Sequence, residues 1–423
     1  MGYQQGLSGL AAASNDLDVI GNNIANANTV GFKESTAQFA DIYANTIATS
    51  VGNQIGLGAS LQTVQQDFSQ GTINTTGQAL NVAINGNGFF QMSNNGTITY
   101  SRNGVFQLDK NGYITDASGN DLMGYAADST GVVNTAQTVA LKVPTTNIAP
   151  KTTQNITAQL NLNAQDTTPT TTPFNASDST SYNYSTSITG YDSLGGTQTI
   201  NMYFVKGATD ASTGQTTWSV YAGTPTQVPT SPTGTLVYDS SGNLVSSTDA
   251  SGTQAAGSSQ MTLQIGTAGG TLSDGAASMA VNLNFKGSTQ YGSSDGVNNL
   301  TEDGYASGTL SNFSIGADGT ITGTYSNHQT MVLGQIVLAN FNNPNGLVNL
   351  GGNQFQQTNE SGVAQISTPG STNHGNLTGG ALESSNVDLT NQLVDLITAQ
   401  RNYQANAQTI KTQQTVDQTL LQM

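Results

Sequence analysis

The chain has 423 residues, a formal net charge of −16 and no cysteine. It is too long for one ordinary domain, so two to four structural units are expected. Nine lysines and arginines are too few to form a basic patch, which argues against a nucleic-acid partner and against binding to an anionic membrane surface. The lack of cysteine excludes disulfides, thiolate nucleophiles and cysteine zinc sites, and it fits an extracellular bacterial protein.

Charged residues make up only 8% of the chain, and its polarity comes from Asn, Gln, Ser, Thr and 49 glycines. Low charge with many β-branched residues indicates ordered, turn-rich β-structure rather than disorder. The first cation is Lys33, so the N-terminus lacks the basic region of a standard secretory signal. The best apolar run, Met331–Phe341, is too short to span a bilayer, so no membrane insertion is expected.

A helix is the first predicted element. Leu10, Leu17 and Ile24 are seven residues apart, and Leu7 lies on a neighbouring position, as in a short coiled-coil seam. The asparagine-rich stretch NNIANANTVGFKES follows, and Val30-Gly31 is expected to end the helix. The simplest alternative is a helix that packs on the core of its own domain.

The pattern then changes to a period of two residues. Ala79–Met92 alternates apolar and polar residues, and Asn-Gly pairs begin at residues 85, 87, 95, 103 and 111. Asn-Gly is typical of tight hairpins because both residues tolerate positive φ. Leu80–Tyr125 is therefore predicted to be a run of short antiparallel strands. A similar run covers Phe313–Tyr325 and continues into the strand-like Met331–Phe341.

Two stretches in these regions need a separate interpretation. Asp109–Asp121 resembles a calcium loop superficially, but its glycine is misplaced and no Glu occupies the twelfth position, so a hairpin with Asn-Gly at its tip is predicted. The middle of the chain contains TTPTTTP and then strand-like pieces such as TQTINMYFV and TWSVYAG. We interpret it as a separate β-domain inserted into the first.

The C-terminal end carries the stronger helical pattern. Leu389, Leu396, Tyr403 and Ile410 are seven residues apart, and a second row begins at Leu393. Ser385, with Asp388 three residues later, resembles a helix N-cap, and no Gly or Pro occurs from residue 386 onwards. Gln occupies two seam positions, so this helix is expected to need a partner, either the other chain end or another subunit.

The predicted fold class is α+β, with mainly antiparallel β domains nested in one another and N- and C-terminal α-helices that pack as a coiled-coil-like domain. The predicted domains are a terminal helical polymerisation domain at 1–35 and 376–423, linking segments at 36–75 and 360–375, an inner β-domain at 76–145 and 291–359, and an inserted outer β-domain at 146–290.

Catalytic chemistry is missing from the pattern. The two histidines, His328 and His374, lie in turn- and loop-like segments, and no constellation of nucleophile and base is evident. We therefore expect no enzyme activity, no cofactor and no metal. A secreted β-rich adhesin or carbohydrate-active protein remains a remote alternative, although no pair of facing carboxylates stands out.

The two ends of the chain carry recognisable motifs. QQGLSGLAAASNDLDVIGNNIANANTVGFKES and LESSNVDLTNQLVDLITAQRNYQANAQTIKTQ closely resemble the N- and C-terminal signatures of the flagellar rod and hook family. QDFSQGTINTTGQALNVAINGNGFF and YSRNGVFQLDKNGYITDASGNDLMGY are similar to the β-domain shared by that family. The length and the large insertion favour the members that form the hook; a distal rod or hook-associated subunit is the alternative.

The resemblance implies a structural subunit that polymerises into a hollow helical tube and works as a universal joint between motor and filament. It implies several partners: further copies, the flagellar rod, a hook cap, a hook-filament junction protein, the flagellar type III export apparatus and a hook-length control protein. It also implies an extracellular location in the hook, reached without a cleaved signal peptide. The self-assembly seam is expected to comprise Leu7, Leu10, Leu17, Ile24, Leu389, Leu393, Leu396, Tyr403 and Ile410.

Overall fold

The computed structural model describes residues 2–42, 56–227, 229–249, 259–266 and 269–422. The chain divides into two compact units. The terminal unit comprises Met1–Thr145, Ser311–Thr324 and Thr330–Met423, and the inserted unit comprises Thr146–Leu310 and Tyr325–Gln329. The α+β class predicted from the sequence is confirmed: two terminal helices accompany many antiparallel strands.

Both helices belong to the terminal unit. Helix α1 is Gly2–Ala25, and helix α2 is Leu389–Leu421, whose 33 residues span about 50 Å. Helix α1 ends earlier than the predicted stop at Val30-Gly31, because the residues after Ala25 form turns. The predicted N-cap Ser385 is wrong: the cap is Asp388, whose Oδ1 accepts hydrogen bonds from Thr390 N at 2.8 Å and Asn391 N at 3.3 Å.

Strands before the insertion are β1 Ser35–Ile42, β2 Gly58–Gln66, β3 Ile73–Thr75, β4 Val82–Asn85, β5 Phe89–Asn94, β6 Thr97–Ser101, β7 Gln107–Leu108, β8 Ile114–Thr115, β9 Asp121–Ala126 and β10 Val139–Ala140. Strands of the insertion are β11 Asn155–Asn161, β12 Tyr184–Tyr191, β13 Thr197–Thr209, β14 Thr216–Gly223, β15 Gly234–Tyr238, β16 Leu244–Asp249, β17 Gln260–Ile265, β18 Met279–Asn284 and β19 Gly296–Glu302. Strands after it are β20 Leu310–Ile315, β21 Thr320–Tyr325, β22 Thr330–Ile336, β23 Leu338–Asn340, β24 Val348–Gly351, β25 Gln354–Gln356, β26 Gln365–Ser367, β27 Asn376–Gly379 and β28 Ala381–Glu383.

In the terminal unit, strands that precede the insertion pair with strands that follow it. The largest sheet runs β20-β21-β22-β9-β5-β6-β25-β24, while β27 pairs with β4 and β28 pairs with β3. Strands β1 and β2 form a separate antiparallel pair. Segments predicted as linkers therefore contain strands β1 to β3 and β26. An aromatic cluster of Phe68, Phe89, Phe341 and Phe355 packs edge to face at centroid separations from 5.4 to 5.8 Å.

The predicted hairpin at Asn95-Gly96 is confirmed. Both residues have positive φ, 49° and 92°, and Asn94 pairs with Thr97 across the turn between β5 and β6. Asn103-Gly104 does not form a hairpin. A Cβ on Gly104 would meet the carbonyl oxygen of Val82, so this glycine permits a close approach of two backbones.

Aspartates close many of the turns in a repeated Asp-x-x-Gly pattern. In each turn, the Asp Oδ1 accepts hydrogen bonds from the N–H groups two and four residues later, and the glycine has positive φ. The pattern occurs at Asp109, Asp116, Asp128, Asp192 and Asp239. The stretch that resembled a calcium loop contains two such turns, so its leading carboxylates already bind backbone N–H groups.

The inserted unit consists of two sheets with one apolar core. One sheet runs β17-β18-β11-β19 and the other runs β12-β13-β14-β15-β16. Alternate residues of both sheets point into the core, where Trp218, Phe204 and Phe285 are fully buried. The pairing is antiparallel except between β11 and β18, which run parallel. Pairing of β19 with β11 extends this unit to Leu310, beyond the boundary of 290 that the sequence predicted.

The Thr/Pro-rich stretch is folded onto the inserted unit. Phe174 stacks on Tyr221 with a centroid separation of 4.0 Å, and Asn183 Nδ2 donates to the carbonyl of Thr167. Beside this loop, Lys206 is buried, and its Nζ donates to the carbonyl oxygens of Ala164 and Asp166 at 2.6 and 2.8 Å. The residues after Pro173 are thus held against the sheet rather than left as a free linker.

Candidate functional site

The site that the sequence singles out is the pair of terminal helices. Gly6 faces Ile410, Gly9 faces Asn406, and Asn23 faces Gln392, so α1 and α2 run in opposite directions. The order of these contacts also leaves the last two turns of α2 beyond the start of α1.

Small residues of α1 form much of the contact. A Cβ built on Gly6 would stand 2.9 Å from Ile410 Cγ1, and one on Gly9 would stand 2.7 Å from Asn406 Oδ1. Ala13 and Ile20 continue the buried side of α1, and Ala399 is buried on α2. The helices approach closely because these positions of α1 carry little or no side chain.

The predicted seam residues occupy different positions in this arrangement. Ile410 lies against Gly6, and half-buried positions are taken by Leu10, Leu17, Ile24 and Leu396. The others are exposed: Leu7, Leu389, Leu393 and Tyr403. The least exposed residues of α2 are Gln392, Leu396, Ala399, Asn406, Ala407, Ile410, Gln413 and Asp417. Within one chain, the second row of least exposed residues on α2 therefore starts at Gln392, and a role of Leu393 in self-assembly stays a prediction.

Side-chain amides connect the helix ends to the first strand. Asn23, at the end of α1, donates through Nδ2 to the carbonyl of Ser35 at 2.7 Å and to Gln392 Oε1 at 3.1 Å. Ser35 N donates back to Asn23 Oδ1, and Gln392 Nε2 donates to Glu34 Oε1 at 2.8 Å. Asn23 and Gln392 are buried, so each amide needs these partners. The asparagine-rich stretch thus supplies connecting groups as well as turns.

A second amide performs the same role for the segment before α2. Asn386 Oδ1 accepts a hydrogen bond from Glu34 N at 2.8 Å, and its Nδ2 donates to the carbonyl of Asp67 at 2.9 Å. Segments that follow α1, follow β2 and precede α2 are therefore joined at one point.

A buried ion cluster lies next to these amides. Lys33 Nζ is 2.8 Å from Glu383 Oε1, and Arg102 Nη1 is 3.4 Å from Glu383 Oε2. The three residues are only 2 to 3% exposed. Burial lowers the pKa of Lys33, and Arg102 lowers it further, while Glu383 opposes both effects. Lys33 Nζ also donates to the carbonyl of Ser69 at 2.6 Å.

An acidic groove of about 260 Å³ runs between α1, α2 and β1. Asp16 of α1, Asp395 of α2 and Glu34, the residue before β1, line it. Partial burial raises the pKa of Asp16, and the charge of Asp395 raises it further. The pKa of Glu34 is raised by burial and then by Asp67, Asp395 and Asp388, against the hydrogen bond from Gln392. Like charges therefore oppose the helix pairing on this side.

Large apolar side chains remain uncovered on both helices. Leu7 is 65% exposed on α1, and Leu420 and Leu421 are 66% and 88% exposed at the projecting end of α2. Val394 and Ile397 are also more than half exposed. Several large apolar residues exposed on one helix pair indicate a surface that contacts another molecule.

The two histidines, for which the sequence predicted no catalytic role, lie in a turn and in a loop. His328 has positive φ in the turn between β21 and β22, and His374 Nε2 lies 2.9 Å from the carbonyl of Gln365. In the part of the chain that the structure describes, no group of three or more His, Cys, Asp or Glu side chains is arranged to hold a metal ion. Across the same residues, neither helix is long and apolar enough to cross a membrane.

Sequence reasoning missed the ion cluster and the glycine contacts. Their signals were present: Lys33 is the first cation of the chain, and Gly2, Gly6 and Gly9 precede Ala13 with helical spacing. The search for large apolar residues passed over both, because small residues and single charges carry little weight in a hydrophobic pattern.

Family models for flagellar axial proteins match four stretches of the chain, including both of its ends. They are the flagella basal body rod protein (residues 4–33), the flagellar hook protein FlgE/F/G D1 domain (83–161), the flagellar basal body protein FlaE D2 domain (161–305) and the flagellar basal body rod FlgEFG protein C-terminal (378–423). Paired terminal helices with nested β-units thus define a protein of the flagellar rod and hook class, which confirms the resemblance seen in the sequence.

Comparison with individual proteins narrows the class. The chain is 43% identical to the flagellar hook protein FlgE of Escherichia coli and 42% identical to that of Salmonella typhimurium, over the full length of both partners in each case. FlgE of Treponema pallidum is 31% identical, with 99% of this chain and 98% of that protein covered. The chain belongs to the flagellar hook protein FlgE family and is a structural subunit of the flagellar hook.

A solved structure shares the fold. The Helicobacter pylori flagellar hook protein FlgE2 superposes with a TM-score of 0.50 at 13% identity, and the match covers 74% of this chain and all of that one.

Proposed function

We propose that the paired terminal helices are the polymerisation site of this hook subunit, and that neighbouring copies cover the apolar residues which α1 and α2 leave exposed. The hook would then be a hollow helical tube that acts as a universal joint between rod and filament, with the helices packed in a coiled-coil-like inner wall. The exposure of Leu7, Leu420 and Leu421 is the observation that carries this proposal.

The composition of the C-terminal end supports contact between identical surfaces. Residues 380–423 contain twelve Asn or Gln, four acidic residues and two cations. Stacked copies bring identical side chains together, and like charges at short range in a poorly solvated wall cost free energy. Amides avoid this repulsion and still form hydrogen bonds.

Polymerisation of the full-length protein tests the proposal. The variant Leu420→Ser/Leu421→Ser is compared with Val363→Ser, which changes an equally exposed residue of the terminal unit outside the helices. Sedimentation and electron microscopy should show tubes for the parent and for Val363→Ser and a strongly reduced yield for the helix variant. Normal tubes from the helix variant would contradict a role for this end of α2.

The wider assignment rests on the family. We propose that the subunit is exported through the flagellar type III apparatus without a cleaved signal peptide, and that it contacts the rod, the hook cap, the hook-filament junction protein and the length-control protein. It performs no catalysis. The full-length similarity to FlgE proteins decides against the alternative of a distal rod or hook-associated role. We expect curved rather than straight tubes in micrographs.

We also propose that the inserted unit governs bending. It has a core of its own, and the chain passes between the two units at only a few points. Such a unit is able to slide on its neighbours while the inner helices stay in place. Deletion of residues 146–310 should yield tubes that are straight or mechanically altered, and a complete failure to assemble would assign the unit another role.

A further inference from the structure

The buried ion cluster joins three parts of the chain that are far apart in sequence. Lys33 follows α1, Arg102 follows β6, and Glu383 ends β28. A charged side chain in so inaccessible a place is stable only when it is paired, because an unpaired buried charge costs several kcal/mol. The cluster therefore couples the positions of the segments that carry it.

The charges of the cluster are not balanced. Two cations share one carboxylate: Glu383 Oε1 accepts from Lys33 Nζ and from Gly71 N, while Oε2 faces Arg102 Nη1. The next acid that acts on Lys33 is Asp67, and its contribution is smaller than that of Glu383. Without Glu383, Lys33 and Arg102 would be two buried like charges.

The two chain ends consequently differ in which charged partner they require for docking. Arg102 directly follows β6 of the largest sheet, and its Cζ lies over the ring of Phe89, 5.3 Å from the centroid. If Glu383 docks while Lys33 is absent, it still pairs with Arg102. If Lys33 docks while Glu383 is absent, a second cation enters beside Arg102 with no carboxylate between them.

We propose that the cluster orders the docking of the chain ends: the N-terminal segment 30–35 docks only when Glu383 is already in place, whereas the C-terminal segment 381–386 docks without Lys33. A backbone contact supports the same order: Gly31 N in the N-terminal segment donates to the carbonyl of Glu383 at 2.9 Å, so it also needs Glu383 in place. Glu383 itself is held by the pairing of β28 with β3. This inference concerns a single chain and holds whether or not the helices polymerise.

Hydrogen exchange of the full-length protein tests the order. Glu383→Gln keeps the shape of the side chain and removes its charge, and the amides of residues 31–35 should exchange at least about 100-fold faster, as expected when one partner of a buried ion pair is lost. Lys33→Met should accelerate exchange at residues 381–386 by less than about tenfold. Glu360→Gln, at an exposed acid, is the matched control and should change neither segment.

The β5–β6 hairpin provides the internal reference for global unfolding. Unchanged exchange at residues 31–35 in Glu383→Gln, with that hairpin still protected, overturns the proposal. If Lys33→Met and Glu383→Gln accelerate hydrogen exchange equally in both segments, the proposed docking order is wrong. If Glu383→Gln exposes the hairpin as well, the triple variant Lys33→Met/Arg102→Met/Glu383→Met decides: restored protection at residues 31–35 supports the charge mechanism, and continued exposure refutes it.

Discussion

Gly9 of α1 lies directly against Asn406 of α2, so close that a Cβ on the glycine would stand 2.7 Å from Asn406 Oδ1. The contact allows no additional atom without displacement of the helix or the amide. Gly21 of the same helix has no atom within 4 Å of its Cβ position. The two glycines therefore offer a matched pair of substitutions.

Gly9→Ala forces the Asn406 amide aside, and this overpacking, which costs about 1–3 kcal/mol where neighbours cannot yield, should offset the gain that alanine brings to the helix. Gly21→Ala should stabilise α1 by about 0.5–1 kcal/mol, because alanine restricts the unfolded chain and meets no obstacle here. Thermal unfolding of the helices, followed by circular dichroism, distinguishes them. Equal effects of the two substitutions would show that the close contact is unimportant.

Asp16 should make helix pairing sensitive to pH. The pKa of Asp16 is raised in the folded chain, so its ionised form destabilises that state, and stability should increase as pH falls from neutrality towards the ordinary value of 3.8. Asp16→Asn should remove this trend and stabilise the pair at pH 7 by a few tenths to about 1 kcal/mol. Asp18→Asn, at an exposed position of α1, is the control; a similar gain from it would implicate net charge rather than the groove.

The N-cap of α2 should contribute measurably to helix stability. Asp388→Ala removes the acceptor for Thr390 N and Asn391 N and should cost about 0.5–2 kcal/mol. Asp388→Asn retains an acceptor oxygen and should cost much less. Hydrogen exchange in the first turn of α2 measures both variants, and equal protection in the two would rule out the cap as the cause.

Asp303 should stabilise the inserted unit above about pH 4. Partial burial raises the pKa of Asp303, but hydrogen bonds from Asn155 N, Gln154 N, the Asn155 amide and Lys151 outweigh that effect and lower the pKa to about 2. Because the folded pKa lies below the ordinary 3.8, the stabilisation is present above that value and is lost as pH falls through about 2.

Urea unfolding measures this contribution. Asp303→Asn should unfold at lower urea than the parent at pH 7, and the difference should become much smaller near pH 2, where about half of the parent carboxylates are protonated. Glu302→Gln alters the neighbouring exposed acid and should have no such effect. A deficit of Asp303→Asn that persists unchanged to pH 2 would mean that its charge is not responsible.

Local patterns predicted local structure well. The pair Asn95-Gly96 predicted the hairpin, and the spacing of apolar residues predicted both terminal helices. Both signals depend only on short segments of sequence. The α+β class follows from these elements. The extent of the inserted unit was harder, since the pairing of β19 with β11 joins segments about 140 residues apart and leaves no local mark.

The contact face of the helices was harder still. Pattern reasoning places Leu393 in the second row of α2, whereas the least exposed row contains Gln392, Ala399 and Asn406. A hydrophobic period identifies the side that avoids water in the finished assembly, and residues such as Leu7 need not be covered within one chain. Which contacts form inside the subunit depends on small residues and amides, and these have no strong periodic signal.

Burial of Lys33, Arg102 and Lys206 has an effect on the exterior of the molecule. Every charged residue lies in the described part of the chain, and these three buried cations leave six of the nine facing solvent, against 25 acidic residues of which Asp116, Asp192 and Glu383 are buried. Subunits that meet through such surfaces repel one another at long range. Added salt, which shortens the range of that repulsion, should therefore promote association rather than disrupt it.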